Sequence, residues 1–169
     1  MKKLIALIIA TLLALSSVCA FAATYRHDDL TFTYDDTLFE VTMDDHTDDE
    51  DLVILTPKDT AWGEETYVRI YLKDLDGDKF PTKDEFTAMP GASEVTQGDW
   101  NGFKDVLMYT VTNDSGSTES YFTVPIYDDD EIEDMLAIVV SVSKIDNEDV
   151  EMARSDAISA ILDSLKVDD

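Results

Sequence analysis

The sequence is poor in the residues that most often carry chemistry: one cysteine, Cys19, two histidines, His27 and His46, and six glycines in 169 residues. Cys19 falls inside an N-terminal segment that reads as removable, so a mature chain would hold no cysteine at all. Disulfides, thiolate metal sites and cysteine nucleophiles are excluded together. Stability must then come from a core, and the roughly 147 residues after Ala22 suffice for one domain with an ordinary core. Gly-x-Ser-x-Gly, His-Glu-x-x-His and the glycine-rich phosphate loop are all missing. Basic residues are the other shortage, with 12 Lys and Arg against 38 Asp and Glu. That charge repels phosphates, which excludes nucleic-acid duplexes as partners, and it disfavours anionic lipid. Cationic proteins, polyvalent cations and neutral ligands remain, and the plainest role for the excess is a solvated surface.

Only one long apolar run occurs. Lys2 and Lys3 precede Leu4 to Leu15, and Ser16 to Ala22 supply small residues ending in an Ala20-Phe21-Ala22 cleavage pattern. The run is about a dozen residues, short of the ~18–20 that span a bilayer. The pattern predicts a cleavable export signal over 1–22, a single domain over 23–169 and no stable membrane insertion. Lipid attachment at Cys19 is disfavoured, because Val18 and Ser16 stand where a lipoprotein signal has a small residue and a leucine. Loss of Lys2 and Lys3 would leave ten basic residues against 38 acidic ones, a formal charge of −28.

Alternating apolar residues then predict strands. Leu30 to Tyr34 and Phe39, Val41 and Met43 each place large groups on one face, and Asp35-Asp36 between them reads as a hairpin turn. Leu52 to Thr56 and Thr66 to Leu72 follow. Asn101-Gly102 favours the positive φ angles of a tight hairpin with arms Glu94 to Trp100 and Phe103 to Thr112. Asn113 to Gly116 turns into Glu119 to Tyr127, and Met135 to Val142, apolar on both faces, belongs at the centre of a sheet. Val150, Ala153, Ala157, Ile158, Ile161, Leu162 and Leu165 recur at helical steps, with Asp146 or Asn147 as the cap. A shorter helix is predicted over Lys83 to Ala88, capped by Thr82 and ended by Pro90-Gly91. The fold class is α+β, an antiparallel β-sheet flanked by helices, with a long amphipathic helix at the C-terminus.

Leu30-Thr31-Phe32-Thr33-Tyr34 leading to Phe39-Glu40-Val41, and the ending Ile161-Leu162-Asp163-Ser164-Leu165-Lys166-Val167, resemble the opening hairpin and closing helix of PsbP-like domains. The resemblance implies an α/β/α sandwich. It also implies a non-enzymatic accessory or binding role, many relatives being exported bacterial proteins of unknown role. No binding residue of that family is carried over.

The sharpest local signal is Asp74, Asp76, Asp78 and Glu85, at positions 1, 3, 5 and 12 of a loop able to supply oxygens to Ca²⁺. Lys79 stands where the sharp turn needs glycine, with Gly77 two residues early, so a regular EF-hand is not expected. The same segment reads as a plain strand-to-helix connection turning at Asp76-Gly77, and the abundance of Asp favours that. His27 and His46, each beside two Asp residues, could ligate Zn²⁺ with nearby carboxylates. Their places, at a fraying N-terminus and in the acidic run Asp44 to Asp51, instead predict exposed loop histidines. Trp62, Tyr67, Tyr71 and Trp100 suit ligand contacts, although Tyr67 and Tyr71, beside Arg69, are expected to pack under the C-terminal helix. The leading expectation is an exported non-catalytic binding or accessory protein whose protein or small-molecule ligand is unidentified. A Ca²⁺-dependent cell-surface or matrix protein comes next, and an extracellular carboxylate-dependent hydrolase third.

Overall fold

A computed structural model describes residues 22–47, 49–89, 91–112 and 116–167. The export expectation on residues 1–22 therefore lies outside the described residues, apart from Ala22. Ten strands are described: β1 Ala22–His27, β2 Leu30–Asp35, β3 Phe39–His46, β4 Glu50–Pro57, β5 Tyr67–Asp74, β6 Thr96–Trp100, β7 Phe103–Thr112, β8 Thr118–Asp128, β9 Glu131–Val142 and β10 Lys166–Val167. Two α-helices accompany them, α1 Lys83–Thr87 and α2 Glu148–Ser164, with a 3-10 turn at Thr60–Trp62. A seven-stranded sheet runs β3-β4-β5-β9-β8-β7-β6, and a separate small sheet runs β1-β2-β10. All strand pairs are antiparallel.

The main core lies between one face of the large sheet and a layer made by the small sheet and α2. Leu30 and Phe32 of β2 and Ile158 and Ile161 of α2 meet Val53, Leu55, Val68, Ile70, Val124, Leu136 and Ile138 there. Alternation explains the strand contributions, since every second side chain of a strand points to the same face. The apolar centre of β9 is buried between β5 and β8, as its composition predicts. On the opposite face a smaller cluster of Val95, Leu107 and Tyr109 sits beneath Phe86 of α1.

Local chemistry sets several boundaries. Asn101 and Gly102 adopt φ of 50° and 87°, the left-handed pair that the β6–β7 hairpin requires. The Thr82 side chain and Glu85 form a reciprocal capping box at the start of α1. Asn147 caps α2, its side-chain oxygen accepting from the amides of Asp149 and Val150 at 3.1 and 3.3 Å. Asn147→Ala is expected to cost about 1 kcal/mol of stability, measurable as a lower denaturant midpoint at unchanged m-value.

Three expectations about the elements change. Asp35-Asp36 does not close a hairpin: β2 pairs with β1 and β10, while β3 pairs with β4, so the turn carries the chain from one sheet to the other. The acidic run is not a free loop either, because Asp44 to His46 complete β3 and Glu50 and Asp51 begin β4. Val68, Ile70 and Leu72 join the core with α2, which leaves Tyr67, Arg69 and Tyr71 half-buried on the other face. There Tyr67 donates to Glu119 Oε1 at 3.0 Å, and Tyr121, stacked on Tyr109 at 4.6 Å, donates to the same carboxylate.

Candidate metal centre

Neither histidine is the exposed loop residue expected from the sequence: His27 ends β1 and His46 ends β3, both half-buried, and strand geometry brings them to one place. Tyr25 and His27 alternate onto the half-buried side of β1, with Thr24 and Arg26 exposed. Across the gap between the sheets, His46 at the end of β3 lies directly opposite Asp51 of β4. The hairpin that joins them is closed by the Thr47 amide donating to the Glu50 carbonyl at 2.8 Å. Asp44, two residues before His46, shares its side of the strand.

The two imidazole rings stack, centroids 3.5 Å apart and planes within 5°. His46 Nδ1 lies 2.7 Å from Asp51 Oδ1, and His27 Nδ1 lies 3.3 Å from the same oxygen. His46 Nε2 faces Asp44 Oδ1 at 2.7 Å, and that oxygen also accepts from the Tyr25 hydroxyl at 2.7 Å. Asp51 is buried, with 8% of its surface exposed, so the carboxylate that both rings share is the protected member of the group. His27 Nδ1 is itself buried and has no hydrogen-bond partner among the described residues; Asp28 Oδ2 at 3.4 Å and Asp51 are near it but out of hydrogen-bond geometry.

Protonation follows from these contacts. Burial by itself would lower the pKa of His46, but hydrogen bonds to Asp51 and Asp44 outweigh it and hold the ring above its ordinary value. Both ring nitrogens face carboxylate oxygens, an arrangement suited to an imidazolium that donates twice. Asp44 is held below the usual carboxylate range, chiefly by the Tyr25 hydroxyl and, against the opposing effect of burial, by His46. The Tyr25 hydroxyl is pushed up by burial and by the adjoining Asp44.

Beside this group opens a cleft of about 350 Å³ lined by Asp28, Asp29, Asp49, Glu50, Asp51, Asp74, Glu133 and Asp134, with Thr47 and Leu72. Burial, then the charges of Asp74, Glu133 and Asp29, raise the pKa of Asp134. Asp51 belongs to both places, touching the rings and lining the cleft.

The carboxylates expected from the sequence to form a Ca²⁺ loop, Asp74, Asp76, Asp78 and Glu85, are engaged separately. Asp74 accepts from the Asp76 amide at 2.7 Å and lines the cleft. Asp76, in a left-handed turn at φ 37°, is exposed, and Asp78 pairs with Lys73 at 3.6 Å. Glu85 is taken up by Thr82 in the capping box. Among the described residues, the set whose ligand atoms do gather is His27, His46 and Asp51, all within 4.8 Å of one another.

The donor types suit a borderline divalent ion, and both imidazoles would have to turn out of their 3.5 Å parallel stack to share it, because each nitrogen lone pair lies in its own ring plane. Zn²⁺ bound to imidazole nitrogen and carboxylate oxygen at about 2.0–2.2 Å keeps its ligand atoms roughly 3.3 Å apart; here the two Nδ1 atoms lie 2.7 and 3.3 Å from Asp51 Oδ1, and all three ligand atoms fall within 4.8 Å of one another. A ligating histidine usually gives its second N–H to a carboxylate, the relation Asp44 already has to His46 Nε2. Tyr25, Asp44 and Asp51 were not read as site residues from the sequence. Their one local signal is period-two spacing, Tyr25 with His27 and Asp44 with His46. No protein-family model matches the chain, and no curated protein sequence matches it.

Proposed function

We propose that this chain is an exported, non-catalytic accessory protein that binds a divalent transition metal, Zn²⁺ foremost, through His27, His46 and Asp51. The observation that carries the reading is the meeting of the chain's two histidines, from separate sheets, over one buried carboxylate with a ring nitrogen left unbonded. Two imidazoles and a carboxylate oxygen suit Zn²⁺, Cu²⁺ or Ni²⁺ better than Ca²⁺ or Mg²⁺. A binding role is favoured over catalysis because the adjoining cleft offers eight carboxylates and no cationic side chain, so a developing oxyanion would be repelled. Its negative field would concentrate cations near the histidines. The reading agrees with the accessory roles implied by the resemblance to PsbP-like domains, and an antiparallel sheet with a long C-terminal helix on one face is compatible with their layered fold. Among the described residues no helix is long and apolar enough to cross a membrane.

Calorimetric titration of residues 23–169 with Zn²⁺ at physiological salt should give one saturating event that EDTA reverses. The absence of heat at roughly millimolar zinc, far above the range of built zinc sites, would sink the reading. Heat from Ca²⁺ with none from Zn²⁺ would move it to the loop from Asp74 to Glu85.

The pH dependence has opposite signs with and without metal. His46, with its folded pKa raised, stabilises the metal-free fold fully below the unfolded value of about 6.5, and this is lost as pH rises through the folded pKa. Asp44, with its folded pKa lowered, contributes above about 3.9, and that is lost as pH falls through its folded pKa. Metal needs deprotonated histidine, so its affinity climbs with pH. Scanning calorimetry between about pH 5.5 and 7.5 should therefore show the gap between zinc-loaded and metal-free Tm widening as pH rises.

A further inference from the structure

We infer that metal binding fastens the N-terminal strand β1 to the main sheet, so that the order of this strand depends on the metal. This rests on the metal reading above and adds to it a structural consequence. β1 is an edge strand, hydrogen-bonded to β2 alone within the small sheet, and its residues Ala22, Thr24 and Arg26 are exposed. Among the described residues, the polar and ring contacts between β1 and the large sheet gather at the metal group, beside the packing of Tyr25 on the core: Tyr25 hydroxyl to Asp44 at 2.7 Å and to His46 Nε2 at 3.2 Å, His27 Nδ1 to Asp51 at 3.3 Å, and the His27–His46 stack at 3.5 Å. His27 is the sole member of the ligand set on β1, while His46 and Asp51 form a cross-strand pair within the β3–β4 hairpin. An ion shared by the three ligands would therefore tie two separate sheets together. Losing it would free a strand held on one side only, and departure of that strand would uncover an edge of β2 able to pair with another extended chain.

Linkage sets the size of the effect. Any opening that pulls His27 away from His46 and Asp51 dismantles the site, so free zinc at one hundred times Kd suppresses that opening about a hundredfold. Amide hydrogen exchange, read residue by residue on the mature chain with zinc and with EDTA, measures it directly. The expected result is slowing of about a hundredfold for β1 amides within 24–27, with much less change in β8 and β9, and no zinc-dependent slowing in His27→Ala. If calorimetry shows zinc bound while exchange in 24–27 is unaltered, the clamp is wrong and the metal site stands. Uniform slowing across the whole domain, or slowing that persists in His27→Ala, overturns the clamp as well. Absence of zinc binding overturns both.

Discussion

Replacing His46 with alanine is expected to lower Zn²⁺ affinity by more than about a hundredfold, since loss of an outer partner alone typically costs 10–100-fold and His46 is proposed to supply a ligand nitrogen. The substitution also strips buried Asp51 of its partner at 2.7 Å. Asp44→Asn provides the graded comparison, because it spares all three ligands and removes only the carboxylate facing His46 Nε2. Its expected loss is about 10–100-fold, smaller than that of His46→Ala. Physiological salt matters in both titrations: diffuse attraction to 38 carboxyl side chains is screened within about 8 Å, whereas a coordinated ion is not. Far-ultraviolet circular dichroism verifies that each variant is folded. Wild-type affinity in a folded His46→Ala protein would eliminate the site.

The second large effect belongs to Arg154, a charged residue with 4% of its surface exposed on α2. Its Nη1 donates to the Ser143 carbonyl at 2.7 Å, the Trp62 carbonyl at 2.9 Å and Thr66 Oγ1 at 3.3 Å. Thr66 Oγ1 in turn donates to Trp62 O at 2.6 Å and accepts from the Ser143 amide at 3.2 Å. One guanidinium thus joins the helix, the 3-10 turn, the start of β5 and the chain leaving β9. The turn leaves no room for rearrangement at Gly63, which has φ of 88° and where a Cβ would collide with Ser143. Burial lowers the guanidinium pKa, against the opposing charge of Glu151, yet an arginine stays protonated at any ordinary pH. Arg154→Ala leaves buried acceptors unpaired and removes the packed stem, for an expected cost of about 3–4 kcal/mol and a Tm lower by roughly 10 °C. Arg154→Met retains apolar bulk and should lose less. A Tm within a degree or two of wild type for Arg154→Ala would show that the network is dispensable.

Much of the fold could be read locally. Asn101-Gly102, the capped helix after Asn147 and the doubly apolar β9 each carry their signal within a few residues, and each forms as expected. Errors arose where the outcome depends on which element lies alongside. Alternation told that Val68, Ile70 and Leu72 share a face opposite Tyr67 and Tyr71, but not which face α2 would cover. The acidity of Asp44 to Asp51 resembled a solvated loop because its charge masked strand pairing, with His46 set opposite Asp51. Arg154 stands four residues before Ile158, in register with the buried stripe, so a charge at a core position was visible in the pattern. Its partners were not, since Trp62 and Thr66 lie far off in the chain.

Composition alone determined a strongly acidic chain, 38 Asp and Glu against 12 Lys and Arg, and its scarcity of histidine and cysteine. Periodicity determined most strands and both helices, because backbone geometry repeats over two or 3.6 residues and side chains reveal the repeat. Only the tertiary structure decided that two isolated histidines meet over Asp51. The proposed ligand set, drawn from β1, β3 and β4, has no spacing along the chain to betray it, because its geometry is created by the packing of one sheet against another.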